Sequence, residues 1–342
     1  MQFGYFTEFD VRSDITQAEV FEATLKEIDA AESLGMDYVW LAEDHFNLEN
    51  SPLASPFVIA GAIAARTTSV RIGIGVAVLP LHNPLDIAAE SLTMDILSRG
   101  RFDLGIGRGP LLNAYKGYNI SYDESRDRVL EGLEVIRKAW TEETFCHKGR
   151  FWTFNDVSLV PRPYQKPHPP VWVAAGSEDT YTAFGRLGYP ILVLSASGID
   201  RLEEYVKAFR KAWQEAGHPG TGSVMLRIPA YVAETSERAM SEPEASTWHK
   251  LDITAKLAVT HAANRERAEL NRNLASVPYD DVLRQRVIYG TPDYVVERIQ
   301  EYKERLGISG LLLEMNFGGR IPSDRVINSI RLLTARVMPK FK

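Results

Sequence analysis

The sequence predicts an α/β fold in which eight parallel strands, each followed by a helix, close into a (β/α)8 TIM barrel with insertions. Eight short apolar stretches of strand type recur along the 342 residues, and amphipathic stretches with helical spacing separate them. Alternation of strands and helices is typical of a parallel sheet, and eight units is the number that closes a barrel. An open, doubly wound sheet is the alternative.

The predicted strands are short runs rich in β-branched and aromatic residues. They cover residues 2–8, 38–42, 71–79, 101–106, 171–175, 190–195, 225–233 and 310–315. The predicted helices have apolar residues at helical spacing. They cover residues 17–34, 56–66, 84–98, 123–141, 178–188, 200–216 and 292–306. Gly35 is a typical helix end, and Thr291 with Pro292 is a typical helix start.

Two segments interrupt this alternation. Residues 145–170 are rich in aromatic residues and proline, and residues 236–290 are long and strongly charged. We expect both to be insertions in a single domain that spans residues 1–342. Long excursions beside a barrel mouth often act as lids, so we expect residues 260–290 to cover the site.

Composition and charge exclude several classes of protein. The net charge is −6 and no basic run occurs, which argues against nucleic acid or an anionic membrane as a partner. No signal peptide and no apolar run of membrane-spanning length are apparent, so we expect a cytoplasmic protein. Cys146 is the only cysteine, which excludes an internal disulfide and a metal site built from cysteines.

The stretch GRFDLGIGRG, residues 100–109, places Gly105, Gly107 and Gly109 around Arg108 at the end of the fourth predicted strand. The spacing is not G-x-G-x-x-G, and Pro110 follows, so we expect no helix to start promptly and a dinucleotide site is a weak interpretation. Glycines at a barrel mouth let a planar ring or a phosphate approach the backbone, and an arginine offers phosphate a forked donor. A tight turn with a solvated arginine is the alternative.

A second stretch, VWVAAGSEDT, runs from the fifth predicted strand into a helix. Ala175, Gly176, Ser177 and Thr180 lie at this junction, where free backbone N–H groups and hydroxyls attract anions. Ser177 is equally suited to cap its own helix. Because the fourth and fifth strands are neighbours in a barrel, we expect Arg108 and Ser177 to bind one phosphate together.

These two stretches, with DYVWLAEDHF, IGIGVAVLPLHNP and YGTPDYVVERI, resemble in order and spacing the bacterial luciferase-like flavin monooxygenases. The resemblance implies a TIM barrel that binds FMN at the carboxyl ends of its strands. It implies that a separate NAD(P)H:flavin reductase supplies the reduced FMN. Dioxygen is then activated as a flavin C4a-(hydro)peroxide, and one oxygen atom enters a small organic substrate. A homodimer formed through the second and third helices is a further implication.

The resemblance also implies roles for individual cofactor-binding residues. Arg108, Ser177 and Thr180 match residues that hold the flavin phosphate, with Ala175 beside them and Gly176 in place of a glutamate. Gly75 and Val76 fall where the family has a non-prolyl cis peptide under the flavin ring. Gly107 replaces the reactive cysteine of the luciferases.

The implied catalytic residues are Asp44 and His45. Asp44 stands where luciferases have a catalytic histidine, and it suits a general base if burial raises its pKa. His45 is the other candidate for proton transfer, because an imidazole ordinarily titrates near neutral pH. His82, after the third strand, suits either a substrate pocket or a purely structural loop role. Glu43, Asp44 and His45 lack distant partners of clear geometry, so we expect no metal.

Two further functions stay open. The same fold serves F420-dependent oxidoreductases, and related chains bind flavin without catalysis. The absorbance of the bound cofactor distinguishes an F420-dependent enzyme from an FMN-dependent one. The oxidation of the reduced-FMN complex distinguishes a monooxygenase, which forms a C4a adduct, from a non-catalytic binder, which returns directly to oxidised flavin.

Overall fold

Eight parallel strands close into a barrel in the computed structural model, which describes residues 1–12, 14–261, 272 and 274–342. The barrel strands are β1 (Gln2–Thr7), β2 (Tyr38–Leu41), β3 (Arg71–Val78), β4 (Phe102–Gly107), β7 (Val171–Ala175), β8 (Ile191–Leu194), β9 (Val224–Val232) and β11 (Gly310–Glu314). They pair in that order, and β11 pairs with β1 to close the ring. The predicted barrel and its eight strands are confirmed, and the open sheet is wrong.

Helices surround the barrel. Their bounds are α1 (Gln17–Ser33), α2 (Pro56–Arg66), α3 (Pro84–Leu97), α4 (Leu112–Gly117), α5 (Ser125–Thr141), α6 (Glu178–Leu187), α7 (Ile199–Glu215), α8 (Ser236–Ser241), α9 (Glu244–His261), α10 (Tyr279–Gln285), α11 (Pro292–Leu306) and α12 (Ser323–Leu332). The seven predicted helices are confirmed to within two residues at each end. None of the helices in the described ranges is long and apolar enough to cross a membrane.

The helix boundaries follow from local chemistry. Thr16 and Glu19 form a reciprocal capping box at the start of α1, and Gly35 follows its end with φ of +90°. One expectation about a boundary is wrong, because the short helix α4 begins at Leu112, directly after the glycine-rich loop. Proline restricts the residue before it, but Pro110 lies far enough upstream to leave Leu112 free to start a helix.

The glycines of β3 and β4 make room for the barrel interior. A Cβ atom on Gly73 would lie 2.3 Å from the indole of Trp40, and one on Gly105 would lie 2.2 Å from the carbonyl oxygen of Ile74. Trp40 is fully buried and packs edge-on against Trp172. Gly73 and Gly105 are therefore needed for packing, independently of any ligand.

The two insertions have regular structure. Residues 145–170 contain an antiparallel hairpin of β5 (Phe145–Lys148) and β6 (Thr153–Val157). Residues 236–290 contain α8, α9, α10 and the strand β10 (Ile288–Gly290), which pairs in parallel with the end of β9. The candidate lid, residues 260–290, includes residues 262–271 and 273, which lie outside the described residues.

Candidate active site

The carboxyl ends of the barrel strands bring ionisable side chains from distant parts of the chain to one mouth. Glu43 follows β2, and its carboxylate binds two histidines through the same oxygen. Its Oε1 contacts Nε2 of His45 and lies 2.7 Å from Nε2 of His82, while its Oε2 accepts a hydrogen bond from the backbone N–H of Val78 at 2.9 Å. This cluster joins the loops after β2 and β3.

Electrostatics stabilise the ionised form of Glu43. Burial of the carboxylate raises its pKa, but the hydrogen bonds and positive charge of His45 and His82 outweigh burial and lower it from 4.5 to about 2. Burial lowers the pKa of His82, yet Glu43 outweighs this effect and the net pKa is raised. The site therefore pairs a permanent anion with an imidazole that readily holds a proton.

The same three side chains meet a minimal requirement for a metal site. Their donor atoms all lie within 4.8 Å of one another, and the participation of His82 was not evident from the sequence, where 39 residues separate it from Glu43. Both histidine Nε2 atoms face one carboxylate oxygen, which is the geometry of hydrogen bonding. The expectation of no metal stays a prediction.

Asp44 points away from this cluster. Its Oδ2 accepts hydrogen bonds from the amide nitrogens of Asn50 at 2.6 Å and Asn47 at 3.4 Å. Burial is the main influence on its carboxyl group, and despite these hydrogen bonds it raises the pKa of Asp44 from 3.8 to about 6. The condition for Asp44 to act as a base is met, although its role in catalysis stays a prediction.

Sequence reasoning missed a buried ionic network at the ends of β1, β9 and β11. Arg227 donates to both carboxylate oxygens of Glu314, at 2.7 and 2.8 Å, and to Glu8 at 2.5 Å. Lys250 of α9 contacts Glu8 and Asp10 and donates to the side-chain oxygen of Asn50 at 2.8 Å. A signal was present, because Arg227 and Glu314 are charged residues inside apolar strand patterns.

A cleft of about 230 Å³ opens above this network. Its charged lining residues include Glu8, Arg227, Lys250 and Glu314. The rest of the lining is largely apolar, and much of it comes from α9, α10 and the segments beside them. These apolar residues include Leu194, Leu251, Leu257, Ala258, Leu274, Val282 and Val287. A mostly apolar concavity with a few fixed polar groups is typical of a site for a small organic molecule.

The predicted phosphate-binding residues come from neighbouring strands. β4 pairs with β7 through Ile106 and Val173, so the loops that follow these strands leave the barrel at the same edge. Arg108 is half-buried, and within the described part of the chain no carboxylate lies within 4.0 Å of its guanidinium. Its guanidinium lies 5.8 Å from the ring centre of Tyr122.

The start of α6 has the features of an anion site. Ser177 occupies the N-cap position, but its side chain makes no capping hydrogen bond and instead lies 2.9 Å from the hydroxyl of Thr180. The first backbone N–H groups of a helix have no acceptor within the helix, so they are available to a ligand. Ala175 is buried and Gly176 is exposed at this edge, while the acidic Glu178 and Asp179 face solvent.

Gly75 and Val76 interrupt the ladder between β3 and β4. The register shifts between Ile74 and Ala77, and the intervening Gly75–Val76 peptide bond is cis, as the resemblance implies. Gly107 lies opposite, because a Cβ atom placed on it would lie 2.7 Å from the side chain of Val76. Gly75 and Val76 are both partly exposed.

The fold and this site define the class of protein. The sequence model of the luciferase-like monooxygenase family matches residues 1–309, and the chain belongs to that family. It is an enzyme of a family that comprises flavin- and F420-dependent monooxygenases and oxidoreductases.

Individual relatives represent both cofactor types. The oxygenase component of flavin-dependent trigonelline monooxygenase from Acinetobacter baylyi is 26% identical, with 100% of this chain and 96% of the relative covered. F420-dependent glucose-6-phosphate dehydrogenase from Amycolatopsis mediterranei is 27% identical over 80% of this chain and 82% of the relative. The crystal structure of monooxygenase RslO1 from Streptomyces bottropensis superposes with a TM-score of 0.86, at 27% identity and full coverage of both chains.

Proposed function

We propose that this enzyme is the oxygenase component of a two-component, FMN-dependent monooxygenase. The observation that carries the proposal is that Arg108 and the start of α6 follow two paired strands, β4 and β7. An arginine that no described carboxylate neutralises follows one strand, and two hydroxyls and a helix start without a side-chain cap follow the other. A phosphate monoester satisfies all of these groups at once.

The residues at the mouth fit the whole cofactor. Arg108, Ser177 and Thr180 would hold the phosphate, with the backbone at Ala175 and Gly176 beside it. Gly75, Val76 and Gly107 would adjoin the flavin ring, because they present backbone rather than large side chains at the edge of the barrel interior. When bound in its reduced form, FMN supplies the electrons for activation of dioxygen.

The chain's own groups manage protons and water. His45 and Asp44 are the proposed proton-transfer residues, and Glu43 holds the imidazoles of His45 and His82 in place through hydrogen bonds. The carboxylate of Glu43 favours the protonated imidazole of His82, and because both Nε2 atoms face Glu43, Nδ1 is the ring nitrogen that would exchange a proton with a ligand. The cleft would bind the organic substrate on its apolar side, and the segment 260–290 would exclude water as a lid.

The proposal includes partners and assembly. The substrates would be dioxygen and a small organic molecule, a separate NAD(P)H:flavin reductase would supply the cofactor, and the cytoplasm would be the location. A homodimer would form through α2 and α3, where Val58 and Leu97 are 69% and 58% exposed. Exposed aliphatic side chains on neighbouring helices favour association.

F420 is the alternative cofactor, because a dehydrogenase that depends on it is 27% identical over most of the chain. The match to the flavin-dependent relative extends over 100% of this chain, against 80% for the F420-dependent one, which favours FMN. The absorbance of the cofactor that copurifies with the protein distinguishes the two. A non-catalytic flavin-binding protein would bind FMN and yield no oxygenated product.

The direct test compares FMN with riboflavin, which lacks the phosphate. Arg108→Ala should weaken FMN binding about 10- to 100-fold, the usual effect of losing a charge-assisted hydrogen bond, and should leave riboflavin binding unchanged. Arg126→Ala, which removes an exposed arginine from α5, is the control. Equal loss for both flavins, or none for either, would refute the phosphate site. Incorporation of labelled oxygen from dioxygen into a panel of organic compounds then tests monooxygenation.

A further inference from the structure

A second arginine at the barrel mouth has no carboxylate partner among the described residues. Arg286 follows α10 and lines the cleft. In the described ranges its guanidinium makes one hydrogen bond, from Nη1 to the backbone oxygen of Ala196 at 3.2 Å, and no carboxylate lies within 4.0 Å. The hydroxyl of Ser195 donates to the carbonyl oxygen of Arg286 at 3.2 Å, which ties its backbone to the end of β8.

The other charged groups that line the cleft neutralise one another. Arg227 pairs with Glu8 and Glu314, and Lys250 pairs with Glu8. Lys250 also pairs with Asp10, and of the five charged side chains that line the cleft Arg286 is the one without an ion-pair partner among the described residues.

Arg286 is also partly withdrawn from water. Its burial lowers the pKa of the guanidinium below its ordinary value, and no described anion counteracts that effect. Arginine nevertheless keeps its charge at any physiological pH. A half-buried, permanent cation with most of its donors unused is well suited to an oxyanion, which accepts two parallel hydrogen bonds.

The surroundings of Arg286 indicate the rest of the ligand. Val287 is its neighbour in the chain, Val282 lies on the preceding helix α10, and both line the cleft together with Leu194, Leu251 and Leu257. Pro110 and Leu111 also line the cleft, two and three residues after Arg108 in the chain. The cleft thus reaches the loop that carries the proposed flavin-phosphate residue, while Arg108 itself does not line it.

We propose that the substrate of this enzyme is an organic acid whose carboxylate binds Arg286 and whose apolar body lies against the leucine and valine side chains of the cleft. The identification of this ligand as the substrate rests on the proposed monooxygenase function. The binding preference itself does not, because it depends only on the cleft and Arg286.

The test uses matched probes that differ only in charge. Binding of 3-phenylpropanoate and of its amide, 3-phenylpropanamide, is measured by calorimetry on the full-length protein, with and without FMN. The wild type should bind the acid roughly 10- to 100-fold more tightly than the amide, the usual contribution of a hydrogen-bonded charge pair. Arg286→Ala should abolish this preference and leave the affinity for the amide unchanged.

Arg284→Ala is the matched control. It removes the same charge two residues away, from a side chain that is 71% exposed and pairs with Asp281. This variant should keep the preference for the acid. Arg286→Lys should keep part of it, because the charge remains while the planar fork is lost.

The possible outcomes separate the two proposals. Equal binding of acid and amide by the wild type, no detectable binding of the acid, or an equal loss of both probes in Arg286→Ala would each overturn the assignment. Unchanged FMN affinity in Arg286→Ala places the effect in the cleft, whereas a specific loss of FMN would assign Arg286 to the cofactor and overturn the proposal. If the acid preference holds but FMN does not bind, the proposed function fails and the anion site stands.

Discussion

Replacing Asp44 with asparagine should stabilise the folded protein at neutral pH. The carboxyl group is largely buried, and its pKa is raised from 3.8 to about 6. The folded state therefore holds the proton more tightly than the unfolded state, so ionisation of Asp44 opposes folding. Asparagine keeps an oxygen that can accept the hydrogen bond from Asn50 but carries no charge.

The magnitude follows from the pKa difference. A difference of one in pKa corresponds to about 1.4 kcal/mol, so the rise of about two makes ionised Asp44 cost roughly 3 kcal/mol. Well below pH 3.8 the group is protonated in both states and costs nothing. The cost grows between pH 3.8 and about 6 and is constant above that range.

Urea denaturation of the wild type and Asp44→Asn between pH 4 and 8 measures this effect. The difference in free energy of unfolding should be near zero at the acid end and should rise to as much as about 3 kcal/mol at neutral pH. Asp123→Asn, at an exposed position, is the control and should show no such rise. A pH-independent difference, or a less stable Asp44→Asn at neutral pH, would refute the assignment of a buried, destabilised carboxylate.

Two more substitutions test the cluster and the packing. Glu43→Gln should lower the pKa of the His82 imidazole, because the carboxylate of Glu43 raises it. NMR titration of the imidazole protons measures the change, and an unaltered titration curve would contradict the hydrogen bond between Glu43 and His82. Gly105→Ala should lower the free energy of unfolding by about 1–3 kcal/mol, because the new Cβ would lie 2.2 Å from a backbone oxygen. Gly61 lies in helix α2, and a Cβ atom on it would meet no atom closer than 4.0 Å, so Gly61→Ala should instead stabilise the protein by about 0.4–1 kcal/mol. Equal effects of the two alanines in chemical denaturation would argue against the packing explanation.

The glycine-rich stretch illustrates how local pattern and tertiary packing combine. Its glycines predict that a ligand approaches the backbone closely, and this stays a prediction. The approaching group at Gly105 is the carbonyl of Ile74, however, and it belongs to the barrel itself. Arg108, in contrast, meets no described carboxylate, so the ligand-binding interpretation of the stretch applies to the arginine rather than to every glycine.

The ionic groups of the mouth show the limit of sequence reasoning. Glu43 and His82 are 39 residues apart, and Lys250 lies 242 residues from Glu8. No local periodicity relates such positions, because their contacts arise only when the strands close into a ring. The charged residues within apolar strands were the available signal, and they do not reveal which partners they meet.

The sequence by itself determined the order of the eight barrel strands and of seven helices between and after them, since apolar periodicity and helix caps are local properties of the chain. It also determined the edge at which the site forms, because parallel strands of a barrel end at one mouth. Only the tertiary structure decided which charges are neutralised there. Pairing in a buried site depends on three-dimensional proximity, and that proximity leaves Arg108 and Arg286 without a described carboxylate while Arg227 and Lys250 are paired.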